Sequence, residues 1–287
     1  MKRARAVLVA ILGIVVVVAL IGGGVVLWSA YNKTPLPIDD RCVATAGGHT
    51  TTITPEQARN AAIIAGMSIK RGLVPRAASI ALTTAYQESA IRNLDHGHAD
   101  SIGLFQQRPS KGWGTIEQIM DPWYSTREFY QAMERIKNWR TRSINDVAQA
   151  VQRSAYPDAY RQHEANARAL ASALTGETPA SFTCVVNAPK PGDPDGMAAF
   201  LKKTLGSGTI TTGVKDGVLT VKAGNAAQAW SVAHLAIATT ADYGLVSAQV
   251  GPYTWTHSTN SLASWQGKGP TDTTDSVTLT FSTATPR

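Results

Sequence analysis

The chain has 287 residues, of which 44% are hydrophobic and 16% are charged, with a formal net charge of +7. This length and composition are typical of one large or two ordinary globular domains, and they exclude a disordered chain. The positive charge is spread along the chain, so no block is basic enough to predict nucleic-acid binding.

The first predicted element is a membrane helix. Lys2, Arg3 and Arg5 precede residues 7–28, a run of 22 residues without a charge. A helix of that length crosses a hydrocarbon core of about 30 Å. Because basic flanks stay in the cytoplasm, we expect residues 1–31 to be a single-pass anchor in the cell membrane, with the rest of the chain extracytoplasmic. A cleaved signal peptide is the alternative that the sequence leaves open.

Residues 32–53 contain several Pro, Gly and Thr residues, which predicts a juxtamembrane linker. Cys42 lies in this segment, and Cys184 lies near the end of the next predicted region, residues 54–187. Because an exported chain meets an oxidising compartment, we expect a disulfide between the two cysteines. In the chain-entropy model, a disulfide that closes a loop of about 140 residues stabilises the fold by roughly 5 kcal/mol. Two unrelated free thiols are the alternative.

Two helices come next, and the second ends at a carboxyl group. Thr54 is a good N-cap, Pro55 suits the first helical position and Gln57 completes a capping box, which predicts a helix that ends near residue 72. A second helix begins at Pro75 and carries Glu88 near its end. The residues before Glu88 are small or apolar, and a partly desolvated carboxyl favours the protonated form that a general acid needs. A solvated helix-end carboxylate is the alternative.

The residues around Glu88 also carry a family resemblance. Glu88 and Ser89 are followed, fifteen positions after Glu88, by the sequence GLFQ that begins at Gly103, and Pro109 stands three residues beyond it. Over residues 54–174 the chain therefore resembles the soluble lytic transglycosylase family and, more distantly, goose-type lysozymes. That family has Glu-Ser, Gly-Leu-Met-Gln and a Pro at these offsets, with Met where this chain has Phe.

The resemblance implies a mainly α lysozyme-like domain over residues 54–187 and the activity of a peptidoglycan lytic transglycosylase. Glu88 would protonate the β-1,4 linkage between N-acetylmuramic acid and N-acetylglucosamine, while the substrate's acetamido group meets the charge at C1. Glu88 would then take a proton from the C6 hydroxyl, whose oxygen closes a 1,6-anhydro ring. If water attacks instead, the enzyme is a hydrolysing muramidase. No metal or organic cofactor is needed.

The same resemblance implies residues that bind or orient the substrate. Ser89 and Gln106 would form hydrogen bonds to Glu88 or to the sugar, and Gly103 would allow close backbone approach. The glycan strands of peptidoglycan are the partner that this reading implies, while protein partners are not predicted.

Aromatic residues are further candidates. The family's Ala-Tyr-Asn element corresponds to the sequence AYP, in which Tyr156 would point toward Glu88 and Pro157 replaces the Asn. Tyr160, one helical turn later in a helix predicted over 157–175, is the alternative. Trp113 is expected either to line a saccharide subsite or to anchor the core. The altered element also leaves open a catalytically inactive wall-binding or secretion-apparatus scaffold.

The loop before Gly103 contains Asp95, His96, His98 and Asp100. A His-x-His pair with nearby carboxylates has the residue types of a metal site, but we expect a solvated loop without a metal. Asp95 or Asp100 acting as a second carboxylate that positions water is left open.

The Pro-rich segment 188–195 predicts a linker and a domain boundary. Beyond it, residues 196–287 are expected to form a small α+β domain whose role the sequence does not define. Tyr253, Trp255 and Trp265 are expected to be core aromatics, with a glycan-binding face as the alternative. The predicted helices cover 194–205 and 225–243, and the predicted strands cover 209–214, 218–222, 245–250, 253–256 and 276–282.

Overall fold

A computed structural model describes residues 2–32, 38–153 and 158–282. Helix α1 (Lys2–Asn32) belongs to one unit, and the residues from Asp39 onward form a second, compact unit. The stretch Ile11–Trp28 of α1 has no buried side chain and is long and apolar enough to cross a membrane. The predicted apolar helix is therefore confirmed, whereas its insertion and its orientation stay predictions.

The predicted linker 32–53 is only partly irregular, because its described part contains a β-hairpin. Strands β1 (Arg41–Ala46) and β2 (His49–Ile53) pair in antiparallel fashion, with Gly47 and Gly48 at positive φ between them. Alternate residues of β1 are buried, as in a strand with one face on the core. The hairpin extends a sheet whose third strand, β3 (Phe182–Val185), pairs with β1.

The predicted disulfide between Cys42 and Cys184 is confirmed. The two cysteines are direct partners in the register of β1 and β3, and both are fully buried. Their separation of 142 residues means that the bond closes a loop that contains the helices between residues 55 and 174. Such a cross-link restricts the unfolded chain and stabilises the fold.

The loop closed by the disulfide is mainly helical. The capping box of Thr54 and Gln57 is present at the start of α2, and Asp121 caps α5. The last helix begins later than predicted, because a short 3₁₀ turn, Arg161–His163, precedes it. Small Ala residues on α2, α3 and α7 let these helices approach closely and form the core. The helices are α2 (Pro55–Lys70), α3 (Pro75–Ser89), α4 (Ile116–Met120), α5 (Pro122–Glu134), α6 (Ile144–Gln152) and α7 (Glu164–Leu174).

The C-terminal part contains a five-stranded antiparallel sheet in the order β4-β5-β8-β6-β7. Its predicted long helix is divided near Thr239 into α9 and α10, and α9 packs on the sheet as well as on α2 and α7. The elements are α8 (Pro194–Leu205), β4 (Thr211–Lys215), β5 (Val218–Lys222), α9 (Ala226–Ala238), α10 (Thr240–Tyr243), β6 (Leu245–Val250), β7 (Tyr253–Thr256) and β8 (Ser276–Phe281).

The fold after α1 is thus a mixture of helices and two antiparallel sheets around one continuous hydrophobic core. Ser231 and His234 of α9 hydrogen-bond to carbonyls of Leu174 and Ala173 in α7, on the other side of the predicted boundary. The described residues on both sides of 188–195 therefore share their packing. A separate lysozyme-like domain stays a prediction.

Candidate functional site

The end of α3 is held in one conformation by α2. After Glu88 the chain leaves the helix through Ala90 and Ile91, both in the left-handed region, with φ of 53° and 59°. Residues other than Gly rarely adopt this backbone. Gln57 donates to the Ala90 carbonyl at 2.7 Å, and Asn60 donates to the Ile91 carbonyl at 2.9 Å. These bonds compensate the strain and fix the position from which Glu88 projects.

Glu88 is partly buried, and among the described residues its side-chain hydrogen-bond donor is a tyrosine. The Tyr160 hydroxyl donates to Glu88 Oε1 at 2.7 Å, and the Tyr160 side chain itself is almost fully buried. A hydrogen bond to a carboxylate is stronger than one between neutral groups. The bond therefore orients the carboxyl group at the surface of the protein.

The Glu88 carboxyl borders a groove of about 870 Å³. This volume lies in the usual range of ligand-binding clefts, roughly 300–1,000 Å³. One wall comes from the segment between residues 98 and 113, and the other comes from the C-terminal ends of α5 and α6. The groove thus places the end of α3 between two walls that are distant in sequence.

The loop after α3 is tied to both neighbouring helices. The Ser89 hydroxyl, which is buried, donates to the Leu104 carbonyl at 2.8 Å and lies 3.1 Å from the Ala85 carbonyl. On the other side, Gln152 of α6 donates to the Phe105 carbonyl at 2.7 Å. Ser89 is therefore a link between helix and loop, and its contact with a substrate stays a prediction.

Gly103 and Gln106 shape the same loop. Gly103 has a φ of 78°, and a Cβ there would lie 3.0 Å from the Ile119 carbonyl oxygen, so the position requires Gly for backbone packing. Gln106 also has a positive φ, 48°, and its side-chain amide donates to the His96 carbonyl at 3.2 Å. Only Gln106 of these two lines the groove.

The other predicted aromatic residues have different outcomes. Trp113 lines the groove and also packs partly against the core, while its contact with a sugar stays a prediction. Tyr156 lies outside the described residues. Its alternative, Tyr160, is the residue that hydrogen-bonds Glu88.

The Asp and His residues of the loop before Gly103 are mostly engaged with other groups. Asp100 accepts from Arg108 Nε at 2.6 Å and from the Ser110 amide at 2.8 Å, and these bonds hold the pKa of Asp100 well below its usual value. Asp95 accepts from the exposed His96 ring at 2.8 Å, which lowers the pKa of Asp95. In the part of the chain that the structure describes, no group of three or more His, Cys, Asp or Glu residues could hold a metal ion.

Several groove residues are not evident from the sequence. Glu128 lines the groove and forms a 3.0 Å ion pair with Arg127, so a second carboxylate shares the site with Glu88. Arg135 and Arg153, which follow α5 and α6, also line it. The sequence offers only one signal for these two, namely basic residues at helix C-termini, which the helix dipole explains equally well.

A scan against models of known protein families finds no match for this chain, and a search of curated proteins finds none either.

Proposed function

We propose that this chain is a membrane-anchored peptidoglycan glycosidase that cleaves the β-1,4 bond between N-acetylmuramic acid and N-acetylglucosamine. The observation that supports it most is a partly buried carboxyl group, Glu88, which borders a large groove and is oriented by the Tyr160 hydroxyl. A single positioned carboxyl group suffices for general acid–base catalysis. Glu88 serves first as acid and then as base.

The two carboxyl oxygens of Glu88 have different roles in this proposal. Tyr160 engages Oε1, so the proton for the glycosidic oxygen is carried by the other oxygen of Glu88. When that proton passes to the glycosidic oxygen, the bond from C1 to this oxygen breaks and the leaving sugar departs as an alcohol. The hydrogen bond from Tyr160 stabilises the carboxylate anion that forms. The anion then takes the proton of the C6 hydroxyl, whose oxygen bonds to C1 and produces the anhydro sugar.

The walls of the groove offer groups suited to sugars. The partly exposed ring of Trp113 provides an apolar face for a pyranose, and Gln106 provides an amide. Gln106 is held by the loop backbone through His96, so it is fixed before any ligand binds. Fixed groups lose little entropy on binding, which favours affinity.

Hydrolysis by a muramidase is the second candidate, and Glu128 is the observation that favours it. This carboxylate lines the same groove as Glu88. In inverting glycosidases a second carboxylate activates the attacking water. The 3.0 Å ion pair with Arg127 holds the Glu128 carboxylate in position at the groove wall.

The products distinguish the two candidates. We would digest purified sacculi with the full chain in detergent and analyse the muropeptides by mass spectrometry. Anhydro ends that disappear with Glu88→Gln and persist with Glu128→Gln support the transglycosylase, whereas reducing ends that need both carboxylates support the muramidase. Glu56→Gln, an exposed glutamate of α2 outside the groove, is the matched control. Intact sacculi after digestion with the wild type would contradict both activities and favour a scaffold.

The location proposed for this activity is the outer side of the cell membrane. The apolar stretch Ile11–Trp28 supports an anchor, and the buried Cys42–Cys184 disulfide supports an oxidising compartment. Protease treatment of intact spheroplasts tests this topology. We expect digestion of the part beyond α1, and complete protection would contradict the proposal.

A further inference from the structure

Three basic side chains line the Glu88 groove without any ion pair or hydrogen bond among the described residues. They belong to Lys111, Arg135 and Arg153. The fourth basic residue of the groove differs, because Arg108 is engaged by Asp100. The three unpaired cations are therefore available to a ligand.

These cations come from three separate segments. Lys111 ends the short 3₁₀ turn Pro109–Lys111, Arg135 is the C-cap of α5, and Arg153 is the C-cap of α6. A favourable interaction with the helix dipole explains a basic residue at the C-terminal end of α5 and of α6. It does not explain Lys111, and it does not explain why all three border one groove.

The carboxylates of the groove do not neutralise them. Glu128 is paired with Arg127, and Glu88 accepts from Tyr160. The described lining of the groove has four Arg or Lys side chains against two Glu side chains, so positive charge is in excess there. Such an excess attracts ligands of the opposite sign. A neutral glycan would leave the three cations without partners, whereas a glycan that carries carboxylates would supply them.

We propose that Lys111, Arg135 and Arg153 bind carboxylates of the peptide stems on the glycan, so that the groove selects charged wall strands over neutral strands of the same sugars. This inference rests on the proposed function, because it assumes a glycan in the groove. It adds a basis for substrate selection that acts through charge, separate from the chemistry of Glu88.

The test compares native sacculi with sacculi whose carboxyl groups have been converted to amides by carbodiimide coupling. Both substrates have the same sugars and linkages. An exposed ion pair contributes about 0.5 kcal/mol, or roughly twofold, so three contacts are expected to give a preference of about tenfold for native sacculi. We would measure initial rates of release of soluble muropeptides by the full chain, at low substrate and at two salt concentrations, because salt weakens such contacts.

The groove variant Lys111→Gln/Arg135→Gln/Arg153→Gln is expected to lower this preference to below twofold, mainly through KM. Its matched control is a triple Lys→Gln variant with the same loss of charge at exposed positions outside the groove, which should keep the preference. A variant with Arg135→Lys and Arg153→Lys retains the charge and should keep most of the preference for native sacculi. The control positions are Lys202, Lys215 and Lys268.

Equal rates on native and amidated sacculi would overturn the inference while leaving the proposed function intact. A control triple that loses as much preference as the groove triple would also overturn it, because the effect would then reflect overall charge. If no sacculi are cleaved, sedimentation of the Glu88→Gln protein with each substrate still decides. Tighter binding to native sacculi that depends on the three groove cations supports the inference, and equal binding rejects it.

Discussion

Glu88 and His234 each have one polar atom in a hydrogen bond, and they differ in the surroundings of the other polar atom. Glu88 accepts from Tyr160 with one oxygen, and its carboxyl borders an open groove. His234 lies in α9, fully buried, and contacts Trp230 and Trp265. Its Nδ1 lies 2.6 Å from the Ala173 carbonyl, while its Nε2 has no hydrogen-bond partner among the described residues.

The difference is access to a ligand. A ligand in the groove can reach the Glu88 carboxyl, whereas the buried His234 ring can affect only stability. A carbonyl oxygen only accepts, so Nδ1 of His234 must carry the proton, and a second proton on Nε2 would be buried without an acceptor. Burial accordingly lowers the pKa of His234 to about 4. At Glu88, by contrast, the groove allows a ligand to supply the missing partner.

The largest expected effect sharpens this contrast. Glu88→Gln should reduce the rate of sacculus digestion by about 100- to 10,000-fold, because the amide cannot transfer a proton. The thermal unfolding midpoint should stay near that of the wild type, since the amide oxygen still accepts from Tyr160. Muropeptide release and a melting curve on the same preparation check both parts. A variant that keeps wild-type activity would contradict the role of Glu88, and one that is unfolded would contradict the expected stability.

The next effect concerns pH and His234. The unfolded chain takes up a proton at His234 near its ordinary pKa of 6.5, whereas the folded chain does so only near pH 4. Between these values the unfolded state binds more protons, so the free energy of unfolding falls as the pH falls. The loss from pH 7 to pH 4 should be roughly 3 kcal/mol from this residue.

Urea unfolding of the full chain in detergent, followed by tryptophan fluorescence at several pH values, measures this slope. His234→Leu should flatten it, whatever the stability of that variant at pH 7. A smaller slope of the same sign should remain, because burial also lowers the pKa of His163 and His257. If the His234→Leu slope equals that of the wild type, the buried imidazole is not its source.

A third, smaller effect compares two buried tyrosines. Tyr160→Phe removes the donor to Glu88 and should lower kcat by about tenfold, since a hydrogen bond to a charged group contributes roughly 1.5 kcal/mol or more. Tyr130→Phe is the matched control, because its hydroxyl donates to the Ile64 carbonyl in the core. We expect it to lower stability and leave kcat unchanged. Equal losses of kcat in both variants would show that Tyr160 acts only through packing.

Features set by neighbouring residues in the sequence could be predicted. The capping box at Thr54 and Gln57 gave the start of α2, and the boundaries of Pro194–Leu205 and Leu245–Val250 agree with the structure. Each depends on a local pattern of caps, glycines or alternation. The position of Glu88 near the end of its helix follows from the same kind of pattern.

Apart from the Cys42–Cys184 disulfide, which residue type and compartment predict, the features set by distant contacts could not be predicted. The sequence of the hairpin at residues 41–53 resembles a Thr-rich linker, because its pairing partner β3 lies far along the chain. The groove walls at Arg135 and Arg153 depend on how α5 and α6 pack. The sequence predicts Tyr160 only as the alternative to Tyr156, because its pairing with Glu88 depends on where the last helix begins. Sequence patterns alone contain no distances of this kind.

The smallest expected effect separates two partly buried tryptophans. Trp113 lines the Glu88 groove, whereas Trp123 packs on Phe200 and lies under the Lys203 ammonium group at another surface. If Trp113 supports a sugar ring, Trp113→Ala should raise KM about threefold with little change in kcat, as expected for a contact of roughly 0.5–1.5 kcal/mol. Trp123→Ala should lower the melting temperature without changing KM. A KM that rises equally in both variants would assign Trp113 to the core alone, because loss of packing and not loss of a sugar contact would then explain the change.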